Sequence, residues 1–221
     1  MRYSFLSHEY ADLIPVFGEV KESTVRQLQS TASGNTTNSF SMEIQSHWGT
    51  HIDVSRHFFS NGPKITHYPA DQFVFTAPQV VTVALNPSEI LNLASLWEMV
   101  REDCDLLLLK SGWTEFRSQP LYYQDNPGIS PELARMLRTH CPRLRAVGID
   151  WISISAFHHR ELGREAHRVL LDPVGAYTPK LLIEDMNLSV NLCGLQRVIV
   201  APLRVAAFDS APCTVLGEWN D

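Results

Sequence analysis

The hydrophobic pattern is clearest from Phe40 onward. Phe40, Met42 and Ile44 are apolar at even positions, while Ser41, Glu43 and Gln45 are polar at odd ones. Trp48, Thr50, Ile52 and Val54 continue the even, mostly apolar face. Side chains two residues apart share one face of a strand, so this spacing predicts a strand through the region with one side on a core. A helix would also bring His47 and His51 together, but Gly49 with Thr50, Ile52 and Val54 favours strand.

The same reading extends along the chain. Residues 30–38, rich in Ser, Thr, Gly and Asn, predict a loop into that strand, and Ser60-Asn61-Gly62-Pro63 predicts a turn after it. Residues 79–85 alternate as a short strand. Asn86-Pro87-Ser88 then predicts a helix to about Glu102, with Ser88 as N-cap and Ile90, Leu93, Trp97 and Val100 as its apolar face. Residues 106–109, all leucine, predict a strand buried on both faces. Ser130-Pro131-Glu132 opens a second helix, with proline suited to its first position. Residues 145–149 and 196–202 read as further buried strands. Strands and helices mixed along the whole length predict one α/β domain spanning 1–221.

The odd face of the first strand is unusual in its chemistry. His47, His51, Asp53 and His57 all fall on it, within one short segment of a chain holding 9 histidines. A solvated polar strand is the plain alternative. Imidazole nitrogen and carboxylate oxygen together suit zinc, manganese or iron(II), and three such ligands leave positions open for water. Gly49 lies between the two first histidines, where a larger side chain would take the space a metal needs.

Composition narrows the classes. The 221 residues can bury a full core, with 44% hydrophobic and 19% charged residues, as in ordinary globular proteins. A formal net charge of -6 offers no electrostatic footprint for nucleic acid or an anionic membrane. No apolar run reaches the length of a membrane span, and charge near the N-terminus predicts no signal peptide. Cys104, Cys141, Cys193 and Cys213 form no C-x-x-C pair and read as reduced thiols of a cytoplasmic protein.

Two later segments hold further candidates. His167 precedes the apolar run Val169-Leu170-Leu171, and Leu181-Leu182-Ile183 ends in Glu184-Asp185. Taken singly, a histidine beside leucines is more often a hydrogen-bonded boundary residue and a terminal Glu-Asp more often solvated. His158 and His159 read as a solvent-facing loop pair.

His47-x-Gly49-Thr50-His51-x-Asp53-x-x-x-His57 resembles the signature of the cyclase family of metal-dependent hydrolases, which includes bacterial kynurenine formamidase and isatin hydrolase. The resemblance continues through Leu109-Lys110-Ser111-Gly112-Trp113, Tyr122 to Pro131, Gly148-Ile149-Asp150-x-x-Ser153, His167-x-x-Leu170-Leu171, Ile183-Glu184 and Ala201-Pro202-Leu203. It implies a mixed, barrel-like α/β fold flanked by helices, with metal held inside it. It implies that His47, His51 and Asp53 hold one ion and that His167 and Glu184 complete a two-metal site, with both carboxylates able to bridge. His57 would be the proton-transferring base. The ion expected is zinc, with manganese as the alternative, at one or two per chain. Ser55 stands where most members of the family have proline, and Thr214 where many relatives carry arginine. Phe17 matches a family tryptophan that packs on an aromatic substrate.

The function expected is hydrolysis of a C–N bond in a small amide, an aryl formamide or a cyclic amide, by metal-activated water. Cyclisation or dehydration on the same ion is the competing reaction, and metal binding without turnover the non-enzymatic one. The partners expected are a small-molecule substrate and further copies of the chain, as a homodimer or homotetramer.

Overall fold

The structure, a computed structural model, describes residues 1–92, 96 and 99–220. Its centre is a nine-stranded mixed sheet. In chain order the strands are β1 (Arg2–Phe5), β6 (His51–Asp53), β7 (Val74–Phe75), β8 (Pro78–Thr82), β10 (Leu106–Lys110), β12 (Ala146–Ile149), β13 (Leu181–Glu184), β14 (Leu195–Pro202) and β15 (Ser210–Trp219). Three two-stranded ribbons stand outside it: β2 (Leu13–Val16) with β3 (Glu19–Glu22), β4 (Thr24–Gln29) with β5 (Ser39–Glu43), and β9 (Ile90–Leu91) with β11 (Gly128–Ile129).

The main path runs β7-β14-β15-β6-β13-β12-β10-β8, with β1 beside β15. Its two ends, β7 and β8, are separated by only Thr76 and Ala77, so the chain itself draws the edges together into a nearly closed barrel. Asp105 and Arg145 seal that seam. The Asp105 carboxylate accepts the backbone N–H groups of Thr76 and Ala77. The Arg145 guanidinium donates to Asp105 and to the carbonyls of Asp71, Gln72 and Val74.

The all-leucine strand β10 is buried on both faces, as its composition predicts. Leu106 and Leu108 fill the barrel with Ile52, Phe75, Ile183 and Val215. Leu107 and Leu109 face outward with Leu182, under helices α2 (Pro131–His140) and α3 (Arg160–Leu171), which follow the short α1 (Pro120–Gln124). Pro131 takes the first position of α2 as expected, and Ser130 caps the helix, its hydroxyl accepting the Leu133 N–H at 3.1 Å. Residues 195–202 form β14, but only Val198 and Val200 of it are buried and Gln196, Arg197 and Ala201 are exposed, so it is not the fully buried strand that its apolar run suggested.

Two sequence expectations fail here for identifiable reasons. The single strand expected from Phe40 is divided: β5 ends at Glu43, β6 covers only His51–Asp53, and a 3-10 turn occupies Ser55–His57. Gly49, at φ +67°, bends the chain between the two strands. A Cβ at Gly49 would meet only the Tyr10 ring, at 3.5 Å, so backbone conformation rather than space for a metal is what glycine provides there. Phe40 and Met42 are exposed on the β4–β5 arm instead of facing the core. The helix expected from Ser88 also does not start there, because Ser88 adopts φ +58° and Ile90–Leu91 pair with Gly128–Ile129. Residues 93–95, 97 and 98 of that expected helix lie outside the described residues.

α3 reaches the sheet closely because residue 163 is glycine. A Cβ there would collide with the Cα and Oγ of Ser155, in the loop beside β12. Gly163→Ala should therefore destabilise the fold by about 1–3 kcal/mol, the usual cost of overpacking. Thermal or urea unfolding measures this, and an unchanged midpoint would show that α3 can move away freely.

Candidate metal centre

Three neighbouring strands build the floor. Antiparallel pairing sets Glu184 of β13 opposite His51 of β6, and Ser210 of β15 opposite Asp53. Ile52, between His51 and Asp53, fills the barrel, so those two side chains point to the outer face of the sheet, beneath α3. The parity argument holds for His51 and Asp53 only. His47 enters from the turn before β6 and His57 from the 3-10 turn after it. His167 descends from α3.

Each of three imidazoles has one nitrogen tied back to an oxygen. His51 Nδ1 bonds the Gly49 carbonyl and His167 Nδ1 the Gly163 carbonyl, both at 2.8 Å. His47 Nε2 meets Ser210 Oγ at 2.9 Å. Hydrogen bonds to carbonyls require N–H at those atoms in neutral imidazole, so they select the tautomer. The remaining nitrogens converge on the carboxylates. His47 Nδ1 lies 3.1 Å and His51 Nε2 3.7 Å from Asp53 Oδ1, while His51 and His167 Nε2 lie 3.5 and 3.4 Å from Glu184.

Glu184 and Asp53 are both buried but are served differently. Glu184 Oε1 accepts the Ile154 N–H at 2.7 Å and the Ser153 hydroxyl at 3.2 Å. Neither oxygen of Asp53 accepts a well-aligned hydrogen bond. Burial works to neutralise both acids, but the imidazoles around them win and hold both below the ordinary carboxylate range, Glu184 at about 2. The counterpart appears on the bases. Burial disfavours the His47 cation, yet Asp53 and Asp209 outweigh it and raise His47 to about 10. His51 and His167 are likewise raised, chiefly by Glu184 against burial.

This donor set fits a divalent ion. Among the described residues, two groups offer three ligand atoms each within 4.8 Å: His51, Asp53 and Glu184, and His47, Asp53 and His57. Asp53 is common to both, and its orphaned oxygens are the polar atoms a cation would satisfy. The grouping differs from the sequence expectation, which joined His47 to His51 and kept His57 apart. His167 stands against Glu184 beside the first group.

The cavity above the floor has a volume of about 250 Å³, and its walls include Phe17, Phe58, Ile152 and Arg164. Phe58 stacks on the His167 ring at 5.0 Å, and Phe17 contacts Phe157 at 5.5 Å. His158 and His159 are exposed, as expected, with His158 beside Asp125. Thr214 lines a separate groove with Met42 and Leu203. Ser55 is buried near the Tyr68 side chain.

Sequence reasoning missed Asp209. Its Oδ2 lies 3.0 Å from His57 Nδ1 and 3.4 Å from His47 Nε2, clasping both from the start of β15. A lone aspartate between Phe208 and Ser210 carries no spacing signal. Asp150 was noted only as part of a motif; its carboxylate accepts the Ser111 and Gly112 N–H groups, fixing the loop after β10. Asp185 is fully buried at φ +53° and accepts hydrogen bonds from Nε and Nη2 of the Arg117 guanidinium and from the Tyr122 hydroxyl.

The pattern of the Cyclase family matches residues 5–156. That span holds His47, His51, Asp53 and His57, whereas His167, Glu184 and Asp209 reach the centre through the fold. A kynurenine formamidase from Geobacillus thermodenitrificans is 27% identical over 169 residues, covering 74% of this chain and 76% of that protein. Among solved structures, isatin hydrolase A from Labrenzia aggregata, bound to benzyl benzoate, superposes with a TM-score of 0.80 at 21% identity, covering 100% of this chain and 94% of the other. A predicted metal-dependent hydrolase from Bacillus stearothermophilus gives 0.75 at 19% identity, covering 98% and 97%. The structural likenesses show a shared fold, and the sequence match over most of the chain shows that this protein belongs to the Cyclase family.

Proposed function

We propose that this protein is a metal-dependent hydrolase that cleaves the C–N bond of a small amide, either an aryl formamide of the N-formylkynurenine type or a cyclic amide of the isatin type. The observation that carries the reading is the pair of buried carboxylates, Asp53 and Glu184, faced by imidazole nitrogens whose tautomers are already selected. His47, His51, Asp53, His167 and Glu184 would hold one or two divalent ions, zinc first and manganese as the alternative. A bound ion supplies Lewis acidity, lowering the pKa of water and polarising a carbonyl.

The chain's own residues account for the remaining steps. Phe58 and Ile152, with Phe17 at the rim, form an apolar wall for an aromatic or small ring. His57 has Nδ1 engaged by Asp209, which leaves Nε2 for proton transfer in the cavity. Nε2 takes a proton from the attacking water as its oxygen bonds to the carbonyl carbon. It returns the proton to the nitrogen as the C–N bond breaks, so acid and amine leave and the imidazole is restored.

Three further features belong to the proposal. One cyclase-type domain spans 1–221. The protein works as a homodimer or homotetramer, and the exposed Val25, Leu28, Phe40 and Met42 of the β4–β5 arm support this, because a lone two-stranded ribbon is marginally stable in water. The cytoplasm is the proposed compartment, supported by four free cysteines. No helix among the described residues is long and apolar enough to cross a membrane.

Two variants test the roles together. His51→Ala should lose most bound metal while remaining folded, read as metal per chain on purified protein. His57→Ala should keep its metal and lose turnover by about two to four orders of magnitude, the usual contribution of a positioned acid–base group. Loss of metal with activity in His57→Ala would place His57 among the ligands, as its nearness to His47 and Asp53 allows. Unchanged metal in His51→Ala would defeat the site.

Metal uptake should also depend on pH in a definite direction. Metal-free His47, raised to about 10, is protonated at neutral pH and must lose that proton to become a ligand. Asp53 and Glu184, both lowered, are already ionised and release none. Binding should therefore release about one proton or more per chain at neutral pH, and affinity should rise as pH rises toward about 10. Calorimetry in buffers of different ionisation enthalpy counts the protons, and zero release would contradict the assignment of His47.

A further inference from the structure

α3 presents a row of three arginines over the cavity. Arg160, Arg164 and Arg168 are spaced four residues apart and so lie along one face of the helix. The outer two are seated on aromatic rings. The Arg160 guanidinium lies 4.2 Å from the centre of Phe157 and 5.4 Å from that of Phe17, and Arg168 lies 5.6 Å from that of Phe58. Phe17 and Phe58 both line the cavity.

Arg164, between them, has a different situation. It lines the cavity itself, and it is the one guanidinium or ammonium group among the described residues that do so. Its ion-pair partner is Glu161, one turn away on the same helix, and both side chains are largely exposed, at 51% and 82%. An exposed pair of this kind has little net strength and exchanges readily for a better-placed acceptor. The acids of the site, Asp53 and Glu184, lie buried at the floor, whereas this cation lies at the rim. The wall includes the apolar Phe58 and Ile152 together with Ser153 and Ser155.

We propose that the substrate is an anion: a small aromatic amide carrying a carboxylate remote from the scissile bond, which Arg164 receives at the rim while the amide reaches the floor. Arg160 and Arg168 hold the aromatic wall and add positive potential at the entrance. The identity of the scissile bond rests on the hydrolase reading above; the preference for an anion rests on Arg164 and the cavity.

A matched pair of compounds tests it with the metal-loaded protein: 3-formamidobenzoate and its neutral counterpart 3-formamidobenzamide. The wild type should favour the carboxylate in kcat/KM by about 10- to 100-fold, the range expected of a charge-assisted hydrogen bond. Arg164→Ala should bring that ratio close to one. Arg164→Lys should restore part of it, since ammonium keeps the charge and loses the fork. No preference in the wild type, or a preference that survives Arg164→Ala, overturns the proposal. If neither compound is hydrolysed, the hydrolase reading fails for this bond, and calorimetric binding of the same two compounds decides about Arg164. A binding preference for the carboxylate that disappears in Arg164→Ala supports it. Equal binding of the two, or binding of neither, overturns it.

Discussion

Two ionised carboxylates buried against a sheet are the constraint around which this protein is arranged. Removing a carboxylate from water costs several kcal/mol even after relaxation. Asp53 and Glu184 sit side by side in that condition, and Asp53 lacks well-aligned hydrogen-bond donors. Such a pair is tolerable only if positive charge is brought to it. In the metal-free chain the raised imidazole of His47 supplies such charge as a bound proton, and the carboxylates shift His51 and His167 in the same direction. A divalent ion can supply that charge at the same place, which is why the site reads as a metal centre rather than as a misplaced ion pair.

The surrounding fold keeps these groups in position. Glu184 and Asp185 are adjacent, yet they serve separate networks. The φ of +53° at Asp185 turns the chain there, leaving Glu184 at the floor and Asp185 with Arg117 and Tyr122. Leaving a buried charge without its partner costs about 3–5 kcal/mol, so the Arg117–Asp185 pair anchors the end of β13 firmly. Thr50 adds to this anchor by donating its hydroxyl to the Asp185 carbonyl. Gly163 lets α3 approach closely enough for His167 to reach Glu184.

How much was legible in the sequence depends on how local each signal is. His51 and Asp53 were readable because a strand's period acts over two residues, and the two share a face as that period requires. Extending the period to His47 and His57 failed because the turn at Gly49 and the 3-10 turn at Ser55–His57 interrupt the strand. Both residues still arrive at the site, by turns rather than by alternation. Residues 106–109 were readable because leucine at every position fits only burial on both faces. The helix from Ser88 failed where tertiary pairing of Ile90–Leu91 with Gly128–Ile129 overrode a helical spacing. His167 and Glu184 lie far from the first motif, and only the resemblance to a family connected them to it. Asp209 had neither spacing nor a noted motif, and only the pairing of β15 with β6 brings it beside His47 and His57.

Asp53 is the member shared by both groups of ligand atoms, so it offers the most direct test of the account. The measurement is calorimetric titration of zinc into metal-free wild type and Asp53→Asn, with circular dichroism confirming that both are folded. Asparagine keeps the shape and removes the charge. The account predicts that the wild type binds zinc and that folded Asp53→Asn binds none at either position. Binding by Asp53→Asn with the stoichiometry and affinity of the wild type would contradict it.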